Sequence, residues 1–403
     1  MKRRVVVLTE IIAPYRIPVF NALAEREDVD LHVIFLSETD TSMRQWKVYT
    51  DEILFSYEVL PSWRTRLGKY NILVNQSVAS ALERAQPQVI VCGGYNYLAS
   101  WQAQRWAKRN GVRFLLWCES TGSDRRSGHT LVESLKESFL HSCDGFIVPG
   151  KSSMEYIRQM AGASGNIFVA PNAVDVALFS SRAHAARARG ERLRGERGLP
   201  QRYFLFAGRM VKAKGVLDLL EAYGRLSTDL RADVGLVFAG EGPLRAECEA
   251  IARAIFPGAV HFAGFVHRDE LAGYYGLAEC FVFPTHSDPW GLVVNEAMAC
   301  GLPVICSQVA GCAADLVKTN GRVVAVHEVE QLKTAMREIA MDRKLRERMS
   351  RESSNLILQY SPEACAAGIA EAAHSILARQ GESGDAWMTP SASAEVAEAE
   401  VAE

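Results

Sequence analysis

Nowhere does the 403-residue chain run apolar for long. No stretch reaches the roughly 18 residues that a membrane-crossing helix needs, so none is expected. Net charge is equally scarce, with 45 Lys and Arg against 47 Asp and Glu and a formal balance of −2. Such a chain offers no global field for holding nucleic acid or an anionic membrane, and a charged ligand must be met by a local site. Paired-cysteine signatures are missing too. The nine cysteines (92, 118, 143, 248, 280, 300, 306, 312 and 365) are odd in number and lie mostly in apolar runs. No C-x-x-C pair or His-rich cluster accompanies them, so they read as buried thiols in a reducing cytoplasm, and no metal is expected. The first apolar run also lacks a following G-x-G-x-x-G, and no acid stands where a dinucleotide ribose contact belongs. That argues against an NAD(P)-dependent oxidoreductase.

What is present is a regular alternation. The opening "MKRRVVVLTE" looks briefly like a leader peptide, but Glu10 interrupts it and no small-residue cleavage site follows, so Val5 to Leu8 reads as a buried first strand. Short apolar runs follow at intervals ("LHVIFLS", "QVIVCGG", "RFLLWCE", "GFIVPG", "IFVAP"), separated by amphipathic stretches such as "SVASALERA". From "YFLFAG" the pattern starts again and continues through "VGLVFAG", "VHFAGF", "CFVFP", "LPVICS" and "RVVAV". Strands alternating with helices predict parallel sheets covered on both faces. The fold class is therefore α/β, with one doubly wound domain over 1–180 and a second over 201–360. Between them the arginine-rich stretch 181–200 reads as a solvated linker or exposed helix. A C-terminal helix is expected over 361–380, packing back on the first domain, and an acidic, disordered tail over 381–403.

In open parallel sheets ligands gather at the carboxyl ends of the strands, where loops and helix N-termini converge. Three strand ends carry suitable groups. In "FLFAGRMVKAKGVLDLL" a strand ends at Gly208, Arg209 follows, and Lys214 with Gly215 opens the next helix. Two cations there suit a diphosphate, although surface cations on a loop would look the same. In "VFAGEGPLR" the glycines 240 and 242 read as a tight turn, with Pro243 at the first helical position. In "CFVFPTHSDPWGLVVNEAMACGLPVICS", Asp288 precedes a helix that opens at Gly291, and Glu296 lies one to two turns inside it. The amides of Gly291, Leu292 and Val293 have no partner within the helix and can face an anion between the two acids. Carboxylates accept hydrogen bonds from vicinal sugar hydroxyls, so the arrangement suits a nucleotide sugar. An N-cap role for Asp288 and a fold-satisfied Glu296 are the plainer readings.

Taken together, "APNAVDVALF", "AGRMVKAKGVLDLLEAY", "FAGEGPLR", "HFAGFVHRDELAGYYGLAECFVFPT" and "DPWGLVVNEAMACGLPVICS" resemble glycosyltransferase family 4. The likeness is strongest over residues 145 to 330. It implies a GT-B fold, two Rossmann-like domains around a cleft, and retaining transfer of a sugar from a nucleotide diphosphate without a required metal or other cofactor. By the same resemblance Arg209 and Lys214 neutralise the diphosphate and Glu296 binds the donor ribose. Asp288 stands where the family's first acid contacts the transferred sugar. That acid is usually Glu, and the "DPWGLVVNEAMA" form resembles a bacterial subgroup with Asp.

The first domain fits the family pattern less closely. In place of a glycine-rich loop and a later His it carries "TEIIAPYRIPVFNAL" and "LLWCESTGSDRRSG", and His129 sits far into a polar loop. Glu119 follows a strand directly and is a candidate for orienting the acceptor or taking its proton, with a turn or helix cap as the alternative. Tyr15 and Arg16 are candidates to face the acceptor or the phosphates, with a plain helix entry over "YRIPVFNAL" as the alternative. The expected function is glycosyl transfer to an unidentified glycan, lipid-linked or small-molecule acceptor, in polysaccharide or glycoconjugate synthesis, and not nucleic-acid binding. A nucleotide-sugar-binding pseudoenzyme is the alternative. The expected location is cytoplasmic or at the inner membrane face, where "PSWRTRLGKYNIL" (61–73) reads first as a solvated loop and second as a peripheral membrane contact.

Overall fold

Short β-branched and aromatic runs pair into two wholly parallel sheets. The computed structural model describes residues 2–39, 47–67, 70–122, 130–162 and 166–385. His129 and the tail beyond 385 lie outside the described residues, as do the side chains of 66–71 within the basic stretch. The first sheet comprises β1 (Arg3–Thr9), β2 (Val29–Phe35), β3 (Ser56–Val59), β6 (Val89–Gly93), β7 (Arg113–Trp117), β8 (Gly145–Val148) and β9 (Ile167–Val169). Its strand order is β3-β2-β1-β6-β7-β8-β9. A separate antiparallel hairpin joins β4 (Trp63–Leu67) to β5 (Tyr70–Val74), where a loop was expected. The second sheet comprises β10 (Tyr203–Ala207), β11 (Gly235–Ala239), β12 (Val260–Gly264), β13 (Cys280–Phe283), β14 (Val304–Ser307) and β15 (Gly321–Val324). Its order is β12-β11-β10-β13-β14-β15.

Both sheets are buried on both sides, which is why their strands read as unbroken apolar runs. Successive side chains point to opposite faces. Val5, Val7, Val33, Val91 and Leu115 thus face one core, and Val6, Leu8, Ile34, Ile90 and Leu116 face the other. In the second sheet Leu205, Val237, Phe281 and Phe283 oppose Phe204, Phe206, Phe238 and Val282 in the same way. All nine cysteines are unpaired thiols, eight of them buried and Cys143 half-buried.

The arginine-rich stretch between the domains is helical, over Val176–Ala188 and Gly190–Arg197. Asp175 caps the first of these by accepting the Leu178 amide at 2.8 Å. Phe179 and Ala183 are buried in the second domain's core. The small size of the alanines concealed this apolar stripe beneath the arginines. At the far end, helix Pro362–Asp385 returns to the first domain, where Cys365, Ile369 and Ala373 join the cluster under β1 and β7. It runs five residues into the stretch read as tail. No helix among the described residues is long and apolar enough to cross a membrane.

Because Ile369 is fully buried, Ile369→Ala should destabilise the first domain by about 2–4 kcal/mol. Urea unfolding followed by tryptophan fluorescence measures this, and an unchanged midpoint would show that the returning helix is not part of that core.

Candidate functional site

In the second sheet β10 and β13 are neighbours, but the chain leaves them toward opposite edges, by β11 on one side and by β14 on the other. This reversal opens a crevice at their carboxyl ends, the usual ligand position of doubly wound sheets. Gly208, Arg209 and Lys214 lie on the connection after β10. Asp288, Gly291, Leu292 and Val293 lie on or just beyond the connection after β13, and Glu296 lies on the helix that follows it.

The two connections touch through backbone. Gly215 has a φ of +66°, and a Cβ built there would lie 2.0 Å from the Pro284 carbonyl oxygen. No other residue tolerates both the left-handed conformation and that approach. The contact is sealed by the His286 amide donating to the Ala213 carbonyl at 2.9 Å. Lys214, immediately before the glycine, forms an ion pair with Asp288. Both side chains are largely shielded, each about 17% exposed. The second oxygen of Asp288 accepts the Trp290 amide at 3.0 Å. Arg209 is exposed and makes no ion pair among the described residues. Gly208 and Met210 receive the "GEG" turn closely: a Cβ on Gly240 would lie 1.9 Å from the Gly208 oxygen, and one on Gly242 would lie 2.4 Å from that of Met210. These glycines therefore serve loop packing, and the next helix begins at Arg245, two residues after Pro243.

Beyond Asp288, Gly291 takes a φ of +96° and helix Leu292–Ala299 begins. The amides of 291, 292 and 293 find no acceptor among the described residues, so the positive end of the helix keeps donors that an anion could satisfy. Glu296 accepts the Tyr275 hydroxyl at 2.9 Å. Burial pushes its carboxyl up to about 7, against the lowering influence of the Tyr275 hydroxyl and the Arg268 guanidinium. Burial and Glu296 in turn raise Tyr275, which stays protonated and donates.

Several residues that sequence reasoning passed over fix this geometry. Asn295, fully buried, accepts from the Trp290 indole at 2.9 Å and donates to the Asn172 carbonyl at 2.8 Å. An Asn inside "VVNEAMA" was a legible signal, overshadowed by the adjacent Glu296. On the side facing the first domain, Asp315 accepts the Lys151 amide at 3.0 Å, and the Ser152 hydroxyl donates to Gly311 at 3.1 Å. Gly311 also donates its amide to the Asp288 carbonyl at 3.0 Å, so the loop bearing Asp288 is tied to the domain junction. Arg268 reaches across the junction to Glu52 and lies 4.0 Å from the centre of the Tyr49 ring. Among the described residues no hydrogen bond or ion pair joins Glu119 to the second-domain acids. Its partner is Arg16, whose guanidinium stacks 3.7 Å from the Trp117 ring.

Two doubly wound α/β domains, the second with unbonded helix amides, a paired lysine and an acid at its switch point, define a class of two-domain α/β fold. Comparison with known proteins names it. Residues 191–356 match the family model described as Glycosyl transferases group 1, and residues 20–178 match Glycosyltransferase Family 4. The chain belongs to these GT-B glycosyltransferases. Over 167 residues it is 28% identical to the Escherichia coli O-antigen chain mannosyltransferase B, an alignment covering 41% of this chain and 44% of that protein. Over 282 residues it is 26% identical to a GDP-mannose-dependent alpha-(1-6)-phosphatidylinositol dimannoside mannosyltransferase of Mycobacterium tuberculosis, covering 68% and 70%. Matched segments thus span from under half to about two thirds of these relatives. Among solved structures, sucrose-phosphate synthase of Thermosynechococcus elongatus superposes with a TM-score of 0.70 at 19% identity, covering 95% of this chain and 100% of that one. Anabaena HepE with UDP and glucose gives 0.71 at 16% identity, covering 93% and 100%.

Gly215→Ala should cost about 2–4 kcal/mol, since a Cβ must displace the Pro284 carbonyl from a left-handed position. Chemical denaturation tests this, and a loss below 0.5 kcal/mol, roughly the level of an ordinary surface change, would refute the close approach. Glu296 gives a pH test. The native carboxyl keeps its proton up to about 7, whereas the unfolded chain releases it near 4.5. The native state therefore binds more protons across that window, and stability falls as pH rises through it. Glu296→Gln removes this dependence. Relative to wild type it should gain roughly 1–3 kcal/mol between pH 4.5 and pH 8, and parallel pH–stability curves for the two proteins would rule out the raised carboxyl.

Proposed function

We propose that the protein is a retaining glycosyltransferase that moves a sugar from a nucleotide diphosphate sugar to an acceptor hydroxyl, with no metal required for the reaction. The observation that carries this reading is the Lys214–Asp288 pair set beside the unbonded amides of Gly291, Leu292 and Val293 at the switch point of the second sheet. With the donor bound, Lys214, Arg209 and those amides hold the diphosphate, and the approach of phosphate to Lys214 frees Asp288 for the hydroxyls of the transferred sugar. Gly208 leaves room for the donor beside the β10 connection, and Glu296 receives the ribose hydroxyls.

In the reaction the bond between the anomeric carbon and the diphosphate oxygen breaks as the acceptor oxygen bonds to the same face of that carbon. The acceptor proton passes to the departing phosphate oxygen. No protein nucleophile takes part. Positive charge at the anomeric carbon and negative charge on the leaving diphosphate grow together, and the fixed cations and helix amides stabilise the latter. Glu119, already charge-paired with Arg16, is assigned to orienting the acceptor through its remaining oxygen.

The family relatives named for mannose transfer make GDP-mannose the first donor to assay, with UDP-sugars beside it. Incubation with a donor panel and candidate glycan or lipid-linked acceptors, followed by NMR of the product's anomeric signal, tests transfer and retention together. Donor binding without transfer to any acceptor and without slow donor hydrolysis would instead mark a pseudoenzyme, and an inverted product would refute retention. Lys214→Ala and Arg209→Ala should each lower kcat about 10²–10³-fold with the fold intact by circular dichroism. Near-wild-type rates in both variants would remove these cations from the chemistry.

A further inference from the structure

Three connections at the carboxyl end of the second sheet meet outside the proposed donor contacts. Asp218 comes from the first turn of helix Val216–Gly224, His286 from the loop after β13, and His327 from the turn after β15. His286 Nε2 lies 2.9 Å from Asp218 Oδ2, and His327 Nδ1 lies 3.1 Å from the same oxygen. One ligand atom from each of the three side chains falls within 4.8 Å of the others, and the imidazole centres are 4.1 Å apart. His327 has a φ of +64°, a left-handed conformation that residues other than glycine rarely adopt.

We propose that these residues form a site for a borderline divalent transition-metal ion of the zinc class, distinct from the donor pocket and taking no part in the transfer step. The donor set decides the ion. Two imidazole nitrogens and one carboxylate favour zinc, cobalt or nickel, whereas magnesium and calcium select oxygen ligands in larger number. Three protein ligands leave one tetrahedral position for water. Space for it exists on the solvent side, where His327 is 65% exposed. A lone hydrogen bond would satisfy either histidine. Convergence of both on one carboxylate oxygen, from separate connections, is the geometry of ligands awaiting a cation.

Bound metal clips the turn after β15 to the loop that carries Asp288, two residues beyond His286, and to the helix that follows Lys214. It therefore stiffens one wall of the crevice. This assignment stands on its own geometry and does not depend on the donor being a nucleotide sugar.

The test is calorimetric titration of the full chain, stripped with a chelator, with Zn²⁺ and with Co²⁺, the latter also followed by its visible absorption. One equivalent should bind, raise the melting temperature, and give an intense tetrahedral cobalt spectrum. His327→Ala, at an exposed position, should weaken binding at least tenfold and abolish that spectrum, as should Asp218→Asn, while both variants keep the circular dichroism of the parent. Absence of stoichiometric uptake, uptake unchanged in both variants, or equal binding of Mg²⁺ overturns the proposal.

Discussion

The close passage of the β10 connection beneath the β13 connection governs the second domain's functional end. Gly215 permits it, because a side chain at that left-handed position would strike the Pro284 carbonyl. Once the two connections touch, Lys214 is delivered to Asp288, His286 is held by Ala213, and the helix at Leu292 begins just beyond with its first amides unbonded among the described residues. The ion pair is a resting arrangement in which each charge satisfies the other away from bulk water. In the proposed function a diphosphate would offer Lys214 stronger partners, and the helix end would add its own attraction without reorganising. In the proposed reading, donor binding and the release of Asp288 are coupled through one lysine.

Backbone and polar side-chain hydrogen bonds cross the junction with the first domain. Asp315 on the Lys151 amide, Gly311 shared between Ser152 and Asp288, and Asn295 bridging Trp290 to Asn172 connect the site loop to the domain boundary. Such groups are costly to bury unsatisfied, so each link holds one relative position of the loop. Glu296 adds a tension of a different kind. Burial holds its carboxyl proton to near neutral pH in the free protein, and ligand hydroxyls would favour the charged form. In the proposed ribose-binding role, stability and ligand binding would pull that residue in opposite directions.

The second-domain candidates could be picked out because each stood beside a local signal, a strand end, a glycine, or a polar residue in an apolar helix, although each signal also had a plainer structural reading. In the first domain the signals were weaker. Glu119 did follow a strand, but its partner Arg16 is 103 positions away, and no spacing rule joins them. The helices over 176–197 read only as a linker or exposed helix, because their buried face is built from Phe179 and alanines under a conspicuous run of arginines. The hairpin at Trp63–Leu67 and Tyr70–Val74 read as a loop, since its basic residues broke the apolar alternation.

By itself the sequence determined two parallel α/β domains and the strand ends on which the chemistry-bearing residues sit, because apolar runs of strand length, recurring between amphipathic helices, have few other ways to bury themselves. Only the tertiary structure decided which of those residues meet. Lys214 and Asp288 lie 74 positions apart, and His286 and His327 reach Asp218 from two further connections. Strand order determines these encounters: placing β13 next to β10, with the chain departing both ways, is a property of packing between distant segments that local patterning does not encode.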